Sequence, residues 1–271
     1  MHRSLLHTIA PAILLLSSSA ISQTSWFSVA NFGAPTPNGG SAWDSVRERL
    51  VAFGGQSGAT QQNATREWDG NGTAWQNITT SSSPSPRTRP AMAFDEARGV
   101  TVLFGGGNGF GNDTWTYDGS DWTQEAPSRV PPSRFRSAMA YDKVRQVIVM
   151  FGGFVPSGQD ANDIWEWDGS NWSPRPPGAT QPSRRGAHRL AFDESINQVV
   201  LVGGFSTTAS GTLSDTWSWD GAAWTQYASM TTTRCDHALG YDQARQRMVL
   251  YGGTNFLGSA QTQLGDTWEW S

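Results

Sequence analysis

The stretch DTWSWDGAAW at residues 215–224 returns along the chain with few changes. Its copies read DTWTYDGSDW at 113–122, DIWEWDGSNW at 163–172, a degraded ATREWDGNGTAW at 64–75, and DTWEWS at 266–271. Each follows a Gly-Gly pair, at 54/55, 105/106, 152/153, 203/204 and 252/253, so the steps are 51, 47, 51 and 49 residues. An aromatic residue stands eleven positions before every pair: Trp43, Phe94, Tyr141, Phe192 and Tyr241. Three landmarks held in one register at five places define five repeats, the signature of stacked supersecondary units.

One repeat reads as four short strands. In the second, residues 91–94 form strand a and DEARG a turn, and residues 100–104 form strand b, a continuous apolar run of the kind a buried strand shows. Gly105-Gly106 is expected to end it. After a Gly- and Asn-containing loop come strand c at 114–117, an Asp118-Gly119 hairpin turn and strand d at 122–125. A four-stranded antiparallel unit of this size cannot bury both faces alone, so the units must lean on one another, and radial packing makes an all-β, five-bladed propeller. Trp165 and Trp167 are two apart and share one face of strand c, while Trp172 comes from the neighbouring strand; such residues fill the wedge between blades. Trp26 lies as far before the first Gly-Gly pair as Trp224 lies before the last, and the last repeat stops after strand c. WFSVA at 26–30 is therefore expected to supply strand d of the final blade and close the ring.

Composition agrees with an all-β chain. Among 271 residues there are 30 Gly, 14 Trp and 12 Phe, with only 15% charged. Residues 1–22 carry His2 and Arg3, an apolar run at 9–16 and small residues at 17–20, the pattern of a secretory leader cut after Ser22. The mature chain, 23–271, is read as one exported, soluble, monomeric domain, periplasmic or extracellular, because no apolar run approaches the roughly 20 residues a spanning helix needs. Loss of Arg3 takes the formal charge from −4 to about −5, which argues against nucleic acid or an anionic membrane as partner. Cys235, the one cysteine, cannot form an internal disulfide and is expected to act as a small buried hydrophobe.

Hydrophobic strand, Gly-Gly, then aromatic and Trp in the following hairpin resembles the kelch repeat, over residues 26–270. The two later aromatics are closer together (Tyr117 to Trp122) than is usual in kelch repeats, and the first copy has Arg66 where the others have Trp. The resemblance implies four-stranded propeller blades. Within them the a–b and c–d turns emerge at one face and the b–c and d–a loops at the other, and the second set is long, as in FVPSGQDAND at 154–163. Long loops on a rigid frame are where ligand contacts concentrate.

On that face Arg87, Arg134, Arg185 and Arg234 lie seven residues before the strand-a aromatic, and Arg89 and Arg136 lie five before it. Kelch propellers that take acidic peptides use arginines in this Arg-x-Arg loop position, so the resemblance implies a crown of guanidinium groups able to hold carboxylates bidentately. The four-fold set fits a framework role as well, pairing with Asp113, Asp163, Asp215 and Asp266 or capping loop carbonyls; the unrepeated Arg89 and Arg136 favour binding. His188 and His237 share one slot in adjacent repeats, where kelch histidines are often structural. Asp236 beside His237, and Phe110, Phe154, Phe205 and Phe256 near the Gly-Gly pairs, are placed to line a pocket mouth or to plug loops.

No HExxH, GxSxG, P-loop or CxxC motif occurs. No metal and no cofactor are expected, and no catalytic residue can be named. Two readings remain open. One is a secreted, non-catalytic propeller that binds a protein, peptide or extracellular glycan through the long-loop face. The other is a carbohydrate-active hydrolase or lyase, which requires acids such as Asp95, Asp160 and Asp236 to converge in one cleft with raised pKa values.

Overall fold

The computed structural model describes residues 36–271 apart from 71–73, 108–110, 177 and 258–259. Five antiparallel sheets of three or four strands form a five-bladed β-propeller among the described residues, with two further two-stranded hairpins and no helix. Blade 2 is representative: strand a, Ala91–Asp95, strand b, Val100–Gly106, strand c, Gly111–Tyr117, and strand d, Trp122–Glu125, follow one another as a meander. Blade 5 comprises strands a to c, Ala238–Asp242, Arg247–Tyr251 and Thr267–Trp270. The expectation that residues 26–30 complete it, like the leader at 1–22, lies outside the described residues.

Strand a is innermost. The a strands Gly40–Asp44, Ala91–Asp95, Ala138–Asp142, Arg189–Asp193 and Ala238–Asp242 pack against one another in series. Wedges converge towards an axis, so alternate residues there are small. Ala138 and Ala140 of blade 3 pack against Leu190 and Phe192 of blade 4, and a Cβ on Gly40 would come within 2.7 Å of the Met92 sulfur. The expected tryptophan wedge is present: Trp165, Trp167 and Trp172 of blade 3 share a cluster with Val102 and Phe104 of blade 2. Fully burying a side chain of this kind contributes about 1.5–3 kcal/mol, so the interfaces between blades are the hydrophobic core.

The Gly-Gly pair makes the joint between blades. Gly105 has a φ of +64°, and a Cβ there would lie 2.5 Å from the carbonyl oxygen of Arg134 in the next blade. Gly106 N–H donates to that same carbonyl at 2.9 Å, and Gly55, Gly153 and Gly204 donate likewise to Arg87, Arg185 and Arg234. The pair does not always end strand b, as the sequence reading has it. In blades 2 and 4 the ladder resumes beyond a bulge, pairing Gly106 with Gly111 and Gly204 with Leu213, because the two glycines absorb the extra residue without a side chain to displace.

The arginines whose carbonyls take part are themselves buried. Arg134 donates from Nη1 and Nη2 to the two carboxylate oxygens of Asp163 at 2.7 and 2.8 Å and from Nη1 to Gly152 O at 2.9 Å. Arg87 with Asp113, Arg185 with Asp215 and Arg234 with Asp266 repeat the arrangement. Each aspartate also accepts from the indole of the Trp two residues on: Trp115, Trp165, Trp217 and Trp268. Blade 1 changes all three partners together. Thr36, Ala64 and Arg66 stand where the other blades have Arg, Asp and Trp, and Thr36 Oγ1 keeps the hydrogen bond to the glycine carbonyl, Gly54 O, at 2.6 Å.

This interchange predicts a ranking. Asp215→Ala strands a guanidinium whose side chain is 0% exposed and should cost about 3–5 kcal/mol. Arg185→Thr combined with Asp215→Ala, the solution found in blade 1, should cost less than the single change, as read from urea denaturation; a double variant weaker than the single one would refute the equivalence.

Candidate functional site

Two residues before each strand a, the backbone takes the same left-handed turn. Asn38, Arg89, Arg136, Ala187 and Asp236 all have φ between 53° and 65°, a conformation that costs a non-glycine residue about 1–2 kcal/mol. Hydrogen bonds across the blades hold it: Arg89 N–H donates to Asn38 O, Arg136 to Arg89 O, Ala187 to Arg136 O and Asp236 to Ala187 O, at 2.6–3.1 Å. The chain of bonds follows the rim of the axis on the long-loop face. Its backbone is repeated in all five blades while its side chains are not.

Those side chains gather charge. Arg136 Nη2 lies 3.2 Å from Asp236 Oδ2, and Arg89 Nε donates to Asn38 Oδ1 at 3.1 Å. Burial and the neighbouring Arg136 hold the Arg89 guanidinium below its ordinary pKa, with Asp236 opposing. Arg189, two residues beyond Ala187, opens strand a of blade 4 at a position occupied by Gly40, Ala91, Ala138 and Ala238 in the other blades. It is walled by protein yet still reached by solvent, as expected of a side chain in a channel. Burial, followed by the offsetting influences of Asp236 and Arg136, leaves its pKa lowered. Its Nη1 donates to His188 O at 3.1 Å. Three guanidinium groups thus share one carboxylate in a chain of net charge −4.

The residues expected from sequence divide sharply. Arg89, Arg136 and Asp236 come together at the axial mouth. Arg87, Arg134, Arg185 and Arg234 do not form an open crown: each is at most 3% exposed, and its Nη donors are directed to the aspartate and glycine of its own blade. Two shallow clefts on the rim have this framework as their lining, one of about 470 Å³ beside Arg134, Asp163 and Arg184, the other of about 270 Å³ beside Arg87 and Asp113. Phe154 packs on Phe135 with ring centroids 5.3 Å apart and covers Gly186, where an added Cβ would meet its ring at 2.6 Å; Phe205 and Phe256 form a second pair at 5.7 Å. Phe110 lies outside the described residues. Cys235 is buried, and burial first, then Asp236, pushes its thiol up to about 12.

The acids required by the hydrolase reading do not converge. Asp95 sits at the a–b turn, on the short-turn face, bound to Arg98. Asp160 is fully buried and accepts from Thr207 N–H and Oγ1 at 2.6 and 2.9 Å, and Asp236 belongs to the axial mouth. Among the described residues no three His, Cys, Asp or Glu side chains are grouped to hold a metal ion.

No protein-family model matches the chain, and no curated protein matches it significantly.

Sequence reasoning missed Arg189 and Asn38. Arg189 carried a signal: it is the single long side chain in a column otherwise made of Gly and Ala. His188 and His237 fill inter-blade slots rather than the mouth. His188 stands edge-on to Phe151 at 5.4 Å, and its approach to the Phe151 backbone falls short of a hydrogen bond; the ring nitrogens of His237 are likewise unpartnered among the described residues. Burial above all drives both far below 6.5, reinforced by Arg185 and Arg189 for His188 and by Arg189, Arg234 and His188 for His237.

A pH dependence follows. The unfolded chain protonates both imidazoles as pH falls through 6.5, the folded chain does not, so stability present above 6.5 is lost progressively on acidification towards the depressed folded values. Each histidine adds a slope of up to about 1.4 kcal/mol per pH unit. Urea denaturation between pH 7.5 and 5 should show that slope, and His188→Ser/His237→Ser, using the residue found at Ser137, should flatten it; a wild-type stability independent of pH in this range would contradict the assignment.

Proposed function

We propose that this chain is a secreted kelch-type propeller that acts by binding, without catalysis, and that its partner is an acidic protein, peptide or extracellular glycan docked on the long-loop face. The reading rests on one observation above the rest: Arg89 and Arg136, unrepeated in the other blades, sit at the axial mouth with a single carboxylate between them. A partly desolvated guanidinium holds a carboxylate or sulfate by charge-assisted hydrogen bonds. The aromatic pairs Phe135 with Phe154 and Phe205 with Phe256 stand on the same face, half-buried, and offer apolar surface beside the charge. Export is carried by the leader at residues 1–22.

The test is the purified protein on an array of acidic and neutral glycans and peptides, with released products monitored. Binding confined to acidic ligands and falling with salt is expected, and Arg89→Ala or Arg136→Ala should each weaken it about tenfold or more, the value of a hydrogen bond to a charged group. Retention on neutral ligands alone, or turnover of a bound glycan, would replace this reading.

A further inference from the structure

Below the mouth, the charge is not balanced from within. Among the described residues Arg89 has one side-chain hydrogen bond, to Asn38; Arg136 has one ion pair, to Asp236, and its buried Nε has no partner; Arg189 has one side-chain hydrogen bond, to the carbonyl of His188. A guanidinium carries five donors, so most of those present here are not met by acceptors among the described residues. The walls do not supply a counter-charge either. Among the described residues, those facing Arg189 are Cys235, whose thiol is kept protonated, His188 and His237, which stay neutral, and Arg136, leaving Asp236 as the one anion. Like charges held together in a poorly hydrated place are costly unless something neutralises them.

We infer that the propeller axis holds a small oxyanion, a carboxylate or sulfate-like group, between Arg189, Arg136 and Arg89 just beneath the ring of left-handed residues. Such an anion would be met by guanidinium forks and would add to the counter-charge of which Asp236 supplies one unit against three. The site shares Arg89 and Arg136 with the proposed docking mouth and adds Arg189 beneath it, and it binds free anions whether or not anything sits on the long-loop face. It also gives Arg189 a role that a framework residue would not need. Gly or Ala suffices at its position in the other four blades.

The experiment measures thermal unfolding and calorimetric binding of the full chain with sodium sulfate, phosphate or acetate, each against sodium chloride at matched ionic strength. At least one oxyanion should raise the melting temperature with saturation, whereas chloride should give no saturable rise. Arg189→Ala should abolish the saturable response, and Arg184→Ala, on the outer loop, should leave it intact. Asp236→Asn removes the competing carboxylate while keeping a residue that tolerates a positive φ, and it should tighten the anion several-fold, an opposite sign that loss of structure cannot produce. Oxyanions that do no more than chloride would overturn the inference, as would unchanged binding in Arg189→Ala or weakened binding in Asp236→Asn. Anion binding without any array ligand would remove only the docking reading; array binding without oxyanion stabilisation would remove only this one.

Discussion

The joint between consecutive blades is a carbonyl oxygen held against a glycine. The Arg134 carbonyl accepts the Gly106 N–H of the preceding blade, and it approaches Gly105 so closely that no side chain fits there. The same arginine's side chain turns inward to its own blade, where it binds Asp163 and the Gly152 carbonyl. One residue therefore ties a blade to itself through its guanidinium and to its neighbour through its backbone. Glycines with φ near +60° tolerate the approach, and the buried ion pair fixes the loop that delivers the carbonyl. Burial of tryptophan and aliphatic surface supplies the larger share of stability, but it is non-directional. The angular spacing of the blades needs a directional contact, and this joint is one.

That division of labour explains which residues recur. The Arg, Asp and Trp set changes as a whole in blade 1, to Thr36, Ala64 and Arg66, and the glycine carbonyl remains satisfied by the Thr36 hydroxyl. A residue serving a ligand would have no reason to vary in step with an aspartate on strand c; a residue serving a buried pair would, because either partner left alone is worse than neither. Recurrence among the arginines is thus a mark of the frame. The left-handed ring is the converse case, with its backbone preserved by hydrogen bonds across blades and its side chains, Asn38, Arg89, Arg136, Ala187 and Asp236, released to differ.

Much of the fold was legible from spacing. Four strands per repeat, the Asp-Gly hairpins and the tryptophan wedge all follow from periods of two and from turn residues, which are local properties. Blade 2 begins its strands at Ala91, Val100 and Trp122, where the pattern places them, but strand c starts three residues early at Gly111 because the Gly-Gly bulge lets the ladder continue. The site was legible in part. Arg89 and Arg136 stood out by not recurring, whereas the framework role of Arg134 depends on Asp163, 29 residues away, and spacing cannot rank that partner against a ligand. Arg189 was overlooked for a different reason: its departure from the Gly and Ala of the aligned column is visible in the sequence, but it is the convergence of the a strands that turns this departure into a place beside Arg136 and Asp236.

The two ends of the axis differ in charge, and the difference arises from equivalent positions. On the short-turn face the first residue of each a–b turn contributes to a belt: Ser45 donates to Glu96, Lys143 binds Glu96 and Glu194, and Gln243 donates to Glu194. That belt carries one more carboxylate than ammonium and satisfies its members with one another. On the long-loop face the corresponding set carries two more guanidinium groups than carboxylates once Arg189 is included, and does not. In a chain that is acidic overall, this set at the long-loop mouth carries an excess of positive charge. The frame's own ion pairs are each closed within a blade, so the contrast between these two sets lies in the side chains that the repeat leaves free to vary.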